Sequence, residues 1–462
     1  MYKVYIRPLK VEDAKISYQW RNDPEIWKFT GSKPDREITY EIEKEWIKKV
    51  ISDESCRRFA IIADGNYIGN IQLTNIKDKK AEYHIFIGDK LWWGKGIAHL
   101  ATYQILHYAK EELQLEEVFL SVREENIAAI KSYIKSSFVE RENADGWIKM
   151  VCALEQLPEP MVSVFVMVYN HEKYLHECLD GILMQQCNFA FNIVVGEDCS
   201  PDRSREILLE YNQKYPGKFK LLLHDKNIGA VANQNAVLSA CTGKYIALCE
   251  GDDYWTDPLK LQKQVFFLEE NEEYGLIHTN YKKFFNKSAK FFDHCPVPDV
   301  SRVDENEYYL TTGDIRTCTV LFRAKYIERI NDLFNQKFMQ NAVIGDRPIF
   351  LLIGKISKLY FLNNITSVYR ITSSESASHF SNIFDYYDYL IKTAEINYEA
   401  LKYLDYTAEI YNKYNDRIKY FNLFSLMKLD KLQFHREFLI NVILMKLSIS
   451  QIKEILSIYR KV

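Results

Sequence analysis

Short apolar runs alternate with helical patterns along much of this chain, and polar clusters fall where the apolar runs stop. Ser163 to Val168 is an apolar run that breaks at Tyr169-Asn170, followed by Leu175, Leu179, Ile182 and Leu183 at helical spacing. Asn192 to Val195 reads as a second strand, ending in the polar turn Glu197-Asp198-Cys199-Ser200. A helix is predicted from about Ser204 to Tyr211, then a short strand from Phe219 to His224. Asn227-Ile228-Gly229, with Asn233 and Asn235, precedes the next helix, and the run Tyr245 to Leu248 then stops on Glu250-Gly251-Asp252-Asp253. The order is β-α-β-α-β-α-β with each polar cluster at a strand's C-terminal end, where open α/β sheets bind nucleotides.

The front of the chain has its own pattern. Lys80 to Gly88 alternates like a half-buried strand, and Trp92-Trp93-Gly94-Lys95-Gly96-Ile97-Ala98 follows it, leading into a helical pattern through Ala101, Ile105 and Ala109. Val118 to Val122 reads as the next strand, with Asn126, Tyr133 and Phe138 beyond it. Six of the seven tryptophans (Trp20, Trp27, Trp46, Trp92, Trp93 and Trp147) lie in this part, and Gln156 to Pro160 reads as a junction. A length of 462 residues exceeds one ordinary core, so at least two domains are expected.

Two turns carry chemistry in their residue types. A strand ending on clustered carboxylates offers the hard oxygen ligands that a divalent cation bridging two phosphates requires, which points to a nucleotide-sugar site. A Gly-x-Gly turn feeding a helix presents free N–H groups at a positive dipole end, a cradle for a pyrophosphate. Each has a plainer reading, a solvated loop and an ordinary helix start.

From roughly Pro160 to His379 the order of motifs resembles the family-2 inverting glycosyltransferases of GT-A fold. The resemblance implies that Tyr169, Asn170 and Asp198 hold the nucleobase and ribose, with Asn227, Asn235 and Asp253 in the same nucleotide-sugar site. It implies Mn²⁺ or Mg²⁺ on Asp252 and Glu250, although Glu250 stands where the family has Asp. Gly345-Asp346-Arg347-Pro348 resembles the family's G-D-x-P segment, whose Asp is the general base that deprotonates the acceptor hydroxyl. The plainer role for Asp346 is a helix N-cap. Thr317 to Arg323 resembles the acceptor-side strand, and Tyr369-Arg370 the closing motif, with Arg370 or His379 at the pyrophosphate.

Most of the first 155 residues resemble the GNAT acetyltransferases. The resemblance implies acetyl-CoA as cofactor, with Gly94, Lys95, Gly96, Ile97 and Ala98 as its pyrophosphate loop, Asn126 beside the cofactor, and Tyr133 as the acid that protonates the departing thiolate. Trp93 stands in that loop where the family often has Gln or Arg, and Ser137 where it usually has Gly. Glu82 and His84 share one face of their strand, and either could accept the amine proton. Trp20 to Asp23, Ile38 to Trp46 and Tyr67-Ile68-Gly69 look like enzymes that acetylate nucleotide-linked aminodeoxy sugars, such as a 4-amino-4,6-dideoxyhexose, and also like ribosomal-protein N-acetyltransferases. An acetylated protein amine, or an inactive binding scaffold, therefore stays open as an alternative for this domain.

The expected architecture is α/β: a GNAT domain over residues 1–155, a Rossmann-like GT-A glycosyltransferase domain over 160–380 and a helical extension over 381–462. The expected partners are a UDP- or dTDP-linked sugar and a glycan or lipid-linked acceptor. A net charge of −3 without a basic tract gives no reason to expect nucleic acid. Nine cysteines without C-x-x-C pairs argue for reduced thiols in a cytoplasmic setting and against zinc. Met1 to Tyr5 passes directly into a strand pattern, without a signal peptide, and no apolar run approaches the ~20 residues of a spanning helix. In the tail, Phe438 to Met445 with its flanking lysines and arginines is suited either to an anionic membrane surface or to packing on the transferase or a second subunit.

Overall fold

The computed structural model describes residues 1–29, 34–286, 288–294, 315–339, 342, 345–371 and 383–407. Two sheets organise it. The first has seven strands, β1 (Val4–Pro8), β2 (Arg57–Ala63), β3 (Asn66–Lys77), β4 (Lys80–Ile87), β5 (Glu117–Arg123), β6 (Val139–Ala144) and β7 (Trp147–Ala153), in the order β1-β2-β3-β4-β5-β7-β6. Its strands alternate apolar residues on both faces because helices cover both. Helix α4 (Ile97–Glu111) puts Ile97, Ala101 and Ile105 against Phe59, Ile61 and Tyr83. On the other face Trp20 of α1 (Ala14–Arg21) and Ile47 of α3 (Tyr40–Ile51) pack with Ala60, Ile62 and Tyr67; the short α2 (Pro24–Trp27) lies between these helices in sequence.

One pairing in this sheet is parallel, and it is short. Strands β4 and β5 pair only at Lys80 with Glu117, Ala81 with Val118 and Glu82 with Phe119. Beyond Glu82 the two strands are not paired with each other, so a gap opens in the middle of the sheet beside Tyr83 to Ile87. Helix α5 (Ile127–Lys135) follows β5.

The second sheet starts as a parallel unit, β8 (Val162–Val168), β9 (Phe191–Glu197), β10 (Phe219–Leu223) and β11 (Tyr245–Glu250), in the order β10-β9-β8-β11. The crossovers are α6 (Leu175–Leu183), α7 (Ser204–Lys214) and α8 (Ala230–Ala240). Even-numbered Val162 to Val168 face one core and Phe165 the other, as expected of a strand buried on both faces. Beyond β11 lie β15 (Leu321–Arg323), β13 (Tyr274–Phe285), β16 (Lys358–Ile371) and β12 (Tyr254–Trp255), with β14 (Lys290–His294) paired to β13. Helices α9 (Lys260–Glu270), α10 (Ile327–Phe334), α11 (Asp346–Ile356) and α12 (Ile383–Tyr403) complete the described part.

Two local expectations change. Helix α8 begins at Ala230, so Asn233 and Asn235 lie within it and not ahead of it; Gly229, at φ 90°, makes the turn and the alanines that follow favour helix. Thr317 to Thr319 is a 3₁₀ turn and only Leu321–Arg323 is strand, because the Thr319 hydroxyl donates to the Arg316 carbonyl at 2.6 Å. Of the expected helical tail, residues 383–403 are helix, while Phe438 to Met445, like His379, lies outside the described residues. No helix among the described residues is long and apolar enough to cross a membrane.

Candidate active sites

The parallel unit delivers its polar turns to one edge of the sheet. At the end of β8, Tyr169 is 45% exposed, and Asn170 takes a left-handed φ of 60° while its N–H donates to Ser200 Oγ at 3.1 Å. At the end of β9, Asp198 is buried. Its Oδ1 accepts the Ile228 N–H at 2.7 Å and its Oδ2 the Gly229 N–H at 3.0 Å. Asp198 thus ties the β9 turn to the loop before α8, where Asn227 Oδ1 also accepts from Gly229. Asn235 Oδ1, on α8, is buried without a hydrogen-bond partner.

The third turn gathers Glu250, Asp252 and Asp253, with one carboxylate oxygen from each within 4.8 Å of the others. Burial, then the neighbouring Asp252, Asp253 and Asp346, pushes the Glu250 carboxyl well above its ordinary range, against the opposing pull of Arg316. Asp253 is pushed up by burial and by Asp252. Its Oδ1 accepts the Arg370 N–H at 2.8 Å, whereas its Oδ2 is buried with no partner. Converging hard oxygens, one of them unclaimed, with the Glu250 and Asp253 carboxyls both costly to ionise, fit a divalent cation.

Arg370 lies under this turn. Its Nε donates to the Asp252 carbonyl at 2.8 Å, one terminal nitrogen to Asn286 Oδ1 at 3.2 Å and the other to Glu177. Its bonds therefore brace the acidic turn from beneath.

Asp346 is brought to the same place from a distant part of the chain. It occupies the first position of α11, and the cap is Gly345, which has no side chain to cap with. A Cβ on Gly345 would sit 1.8 Å from Gln234 Oε1 of α8, so a larger residue here would displace the Gln234 amide. Asp346 and Glu250 feel each other's charge, and half-buried Arg316 interacts with both. Arg316 was not singled out by the sequence; its Nε donates to Tyr281 Oη at 3.3 Å and its guanidinium lies 5.0 Å from the Tyr369 ring. Tyr389 of α12 also faces Asp346 and Glu250, its hydroxyl pushed up by burial and then by Asp346. Neither residue belongs to a spacing pattern that could have marked it.

In the first sheet, Gly94 and Gly96 take φ of 71° and 74°, and Gly96 is the cap of α4. A Cβ at either would meet nothing within 4 Å, so open space faces the loop. Trp93 Nε1 donates to the Ile87 carbonyl at 2.8 Å and so pins the loop to the end of β4. Lys95 Nζ lies 4.9 Å from the Trp92 ring and 5.4 Å from that of Tyr2. Buried Ile97 anchors the helix start, and the Ala98 carbonyl accepts from Thr102 at 2.7 Å.

Asn126 caps α5, its Oδ1 accepting the Ala129 N–H at 3.2 Å. In the same helix, the Tyr133 ring stands edge-on to Tyr83 at 5.9 Å and lies 5.8 Å from Phe138. Burial pushes the Tyr133 hydroxyl up to about 12. It stays protonated at neutral pH, as an acid toward a thiolate must. Glu82 and His84 project on the opposite face of β4, 3.7 Å apart. Thr74 Oγ1 lies 3.0 Å from His84 Nε2, and Asn75 donates to Glu82 at 2.8 Å. Burial lowers the His84 pKa, although Glu82 pulls it back up, which favours the neutral ring that can accept a proton.

Comparison with known proteins agrees with this division. Residues 3–139 match the family model for the acetyltransferase (GNAT) domain, and residues 163–330 that for glycosyl transferase family 2. An uncharacterized protein of Mycobacterium tuberculosis, Rv1520, is 40% identical over 136 residues, 29% of this chain and 39% of that protein. The putative glycosyltransferase EpsE of Bacillus subtilis is 33% identical over 144 residues, 30% of this chain and 51% of its own length. The chain thus spans about two fifths of the first relative and half of the second. A spermidine N-acetyltransferase structure from Vibrio cholerae, 25% identical, aligns with 33% of this chain and 97% of its own at a TM-score of 0.31. The chain carries an N-terminal GNAT acetyltransferase domain followed by a family 2 glycosyltransferase domain.

Proposed function

We propose that this chain is a bifunctional enzyme of surface-glycan assembly. Its first domain moves acetyl from acetyl-CoA to the amine of a nucleotide-linked aminodeoxy sugar. Its second transfers a sugar, with inversion, from a UDP- or dTDP-linked donor to a glycan or lipid-linked acceptor. The observation that supports this reading is that one chain holds two separate groupings of residues, the acidic turn with Asp346 and the β4/β5 gap with its glycine loop and Tyr133.

For glycosyl transfer, Asp346 accepts the proton of the acceptor hydroxyl as it attacks the anomeric carbon. Arg316 beside it and the start of the helix both set positive charge near its carboxylate. Asp252 and Glu250, with Asp253 beside them, would hold Mn²⁺ or Mg²⁺, which when bound offsets charge on the departing diphosphate. Arg370 keeps that turn in shape, while Tyr169, Asn170, Asp198, Asn227 and Asn235 frame the nucleotide end.

For acetyl transfer, the backbone N–H groups from Gly94 to Ala98 hold the pyrophosphate of the cofactor, next to Asn126. His84 or Glu82 takes the amine proton, directly or through a water, and Tyr133 gives its proton to the thiolate. Incubation of the whole chain with acetyl-CoA and a panel of amino-sugar nucleotides and peptides, read by mass spectrometry, tests the reading. A sugar nucleotide heavier by one acetyl group is expected; acetylation confined to peptides would overturn the first half.

A further inference from the structure

The face of the first sheet that carries Glu82 and His84 also gathers two arginines, Arg21 beside Glu43 and Arg58 near Asp53 and Cys56. Arg21, the last residue of α1, has its guanidinium 4.9 Å from the Trp27 ring and 5.0 Å from that of Trp46. Arg58 of β2 lies 5.2 Å from the same Trp46 ring. The Nε atoms of both arginines are buried without hydrogen-bond partners. Arg21 faces Glu43 at 3.8 Å, beyond hydrogen-bond reach, and Glu43 is already bonded to Ser17 at 2.8 Å. Arg58 donates to Gln72. Stacking on tryptophan offsets part of the cost of bringing two guanidiniums together, but not their mutual repulsion.

Strand register places this pair relative to the chemistry. Arg58 is opposite Gln72, and Gln72 is opposite His84, so the three form one row across β2, β3 and β4. Two strand spacings, roughly 10 Å at the backbone, separate Arg58 from His84. The row lies on the face covered by α1 and α3, opposite α4 and its glycine loop, so it is distinct from the cofactor's pyrophosphate cradle.

We propose that Arg21 and Arg58, gathered around Trp46, form a phosphate-binding end of the acetyl-acceptor site, so that the amine substrate carries a phosphate or diphosphate. The proposal rests on the acetyltransferase reading of the first domain. A planar guanidinium pair suits an oxyanion through charge-assisted, bidentate bonds, and it repels a polyamine. A nucleotide-linked sugar and a sugar 1-phosphate share this chemistry.

Binding can be read without turnover. The whole chain is saturated with coenzyme A and kept in chelator, which fills the glycine loop and removes metal from the acidic turn. Inorganic pyrophosphate, UDP or glucosamine 1-phosphate is then titrated by intrinsic tryptophan fluorescence. Arg21→Met and Arg58→Met are each expected to weaken binding roughly tenfold or more, with Lys at either position restoring part of it. Arg141→Met, at an exposed arginine of the same domain, is the charge-matched control and should stay within about twofold. Relative affinity for the three probes tells a diphosphate reader from a monophosphate reader. In turnover, the arginine variants should raise KM for phosphate-bearing amines while leaving KM for acetyl-CoA alone. Unchanged probe binding in both variants, or a preference for spermidine over UDP-glucosamine and glucosamine 1-phosphate, would overturn the proposal. Absence of acetyl transfer to any amine, with probe binding still lost in the variants, would sink the acetyltransferase reading and leave the phosphate site standing.

Discussion

Replacing Asp346 with Asn separates the two roles a residue at that position can have. Asn keeps the shape and the hydrogen-bonding oxygen but cannot take a proton from an acceptor hydroxyl. General base catalysis is typically worth roughly 10²–10⁴-fold, equivalent to about 2.7–5.5 kcal/mol of barrier. The structural cost is far smaller. Asp346 sits in the first turn of α11 and does not cap it, so losing its charge forfeits the favourable dipole interaction, about 0.3–1 kcal/mol, and the attraction of Arg316, while it relieves repulsion with Glu250. A fall of about 10²–10⁴ in transfer rate, with a melting temperature nearly unchanged, is therefore expected. Donor affinity should stay near that of the native enzyme, because the nucleotide is held by other turns of the sheet. The assay is transfer from a UDP- or dTDP-sugar under single-turnover conditions, with nucleotide affinity measured on the same folded variant. A near-normal rate would show that the base lies elsewhere. A drop in donor affinity as large as the drop in rate would place Asp346 on the donor and refute the argument equally.

Three further outcomes are expected. Tyr133→Phe should cut acetyl transfer at least tenfold and leave glycosyl transfer intact, since the two constellations share no residue; equal loss of both activities in a folded variant would contradict this. Asp252→Asn should weaken nucleotide-diphosphate binding and alter its Mn²⁺ or Mg²⁺ dependence without touching acetyl transfer, and undiminished glycosyl transfer in chelator would remove Asp252 from the site. Burial pushes His278 down to about 3 and His107 to about 4, so the unfolded chain binds protons that the folded chain refuses. The contribution of these two histidines should be full above pH 6.5 and be lost, by on the order of several kcal/mol, as pH drops from 6.5 toward 4. Guanidinium midpoints at pH 7.5 and 5 check this, and a His278→Gln variant with an equally steep loss would exclude His278 as a main source.

The parts of both sites that strand ends supply were legible in the sequence. A parallel strand buried on both faces writes itself as an apolar run, and whatever polar residues stop it must lie at the sheet's edge; Tyr169, Asp198 and Glu250 could be placed in that way. Glycines at positive φ before α4 were legible for a similar reason, since the turn needs residues without a Cβ. What the sequence hid is what tertiary packing supplies. Nothing in the spacing of Arg316, Tyr389 or Glu177 marks them, yet Arg316 and Tyr389 meet Glu250 and Asp346, and Glu177 meets Arg370 beneath the turn, because β13, β16 and the helices fold together there. Arg370 could be singled out, but its bonds to Asp252, Asn286 and Glu177 follow from its place beneath the turn.

The same contrast separates the two ends of the acetyltransferase site. Its cofactor end is local, one loop and one helix start, and so it shows in a short stretch from Trp93 to Ala98. Its acceptor end is assembled from α1, α3 and three strands in register, and the residues that meet there are 37 positions apart in the case of Arg21 and Arg58. Substrate choice in such a site is set by residues that a motif scan cannot join. The row Arg58-Gln72-His84 exists only once β2, β3 and β4 have paired, and a one-residue slip of β2 would turn Arg58 to the opposite face, into the core beneath α4. If the arginine pair reads the acceptor's phosphate as proposed, register in this sheet sets acceptor charge preference as well as stability.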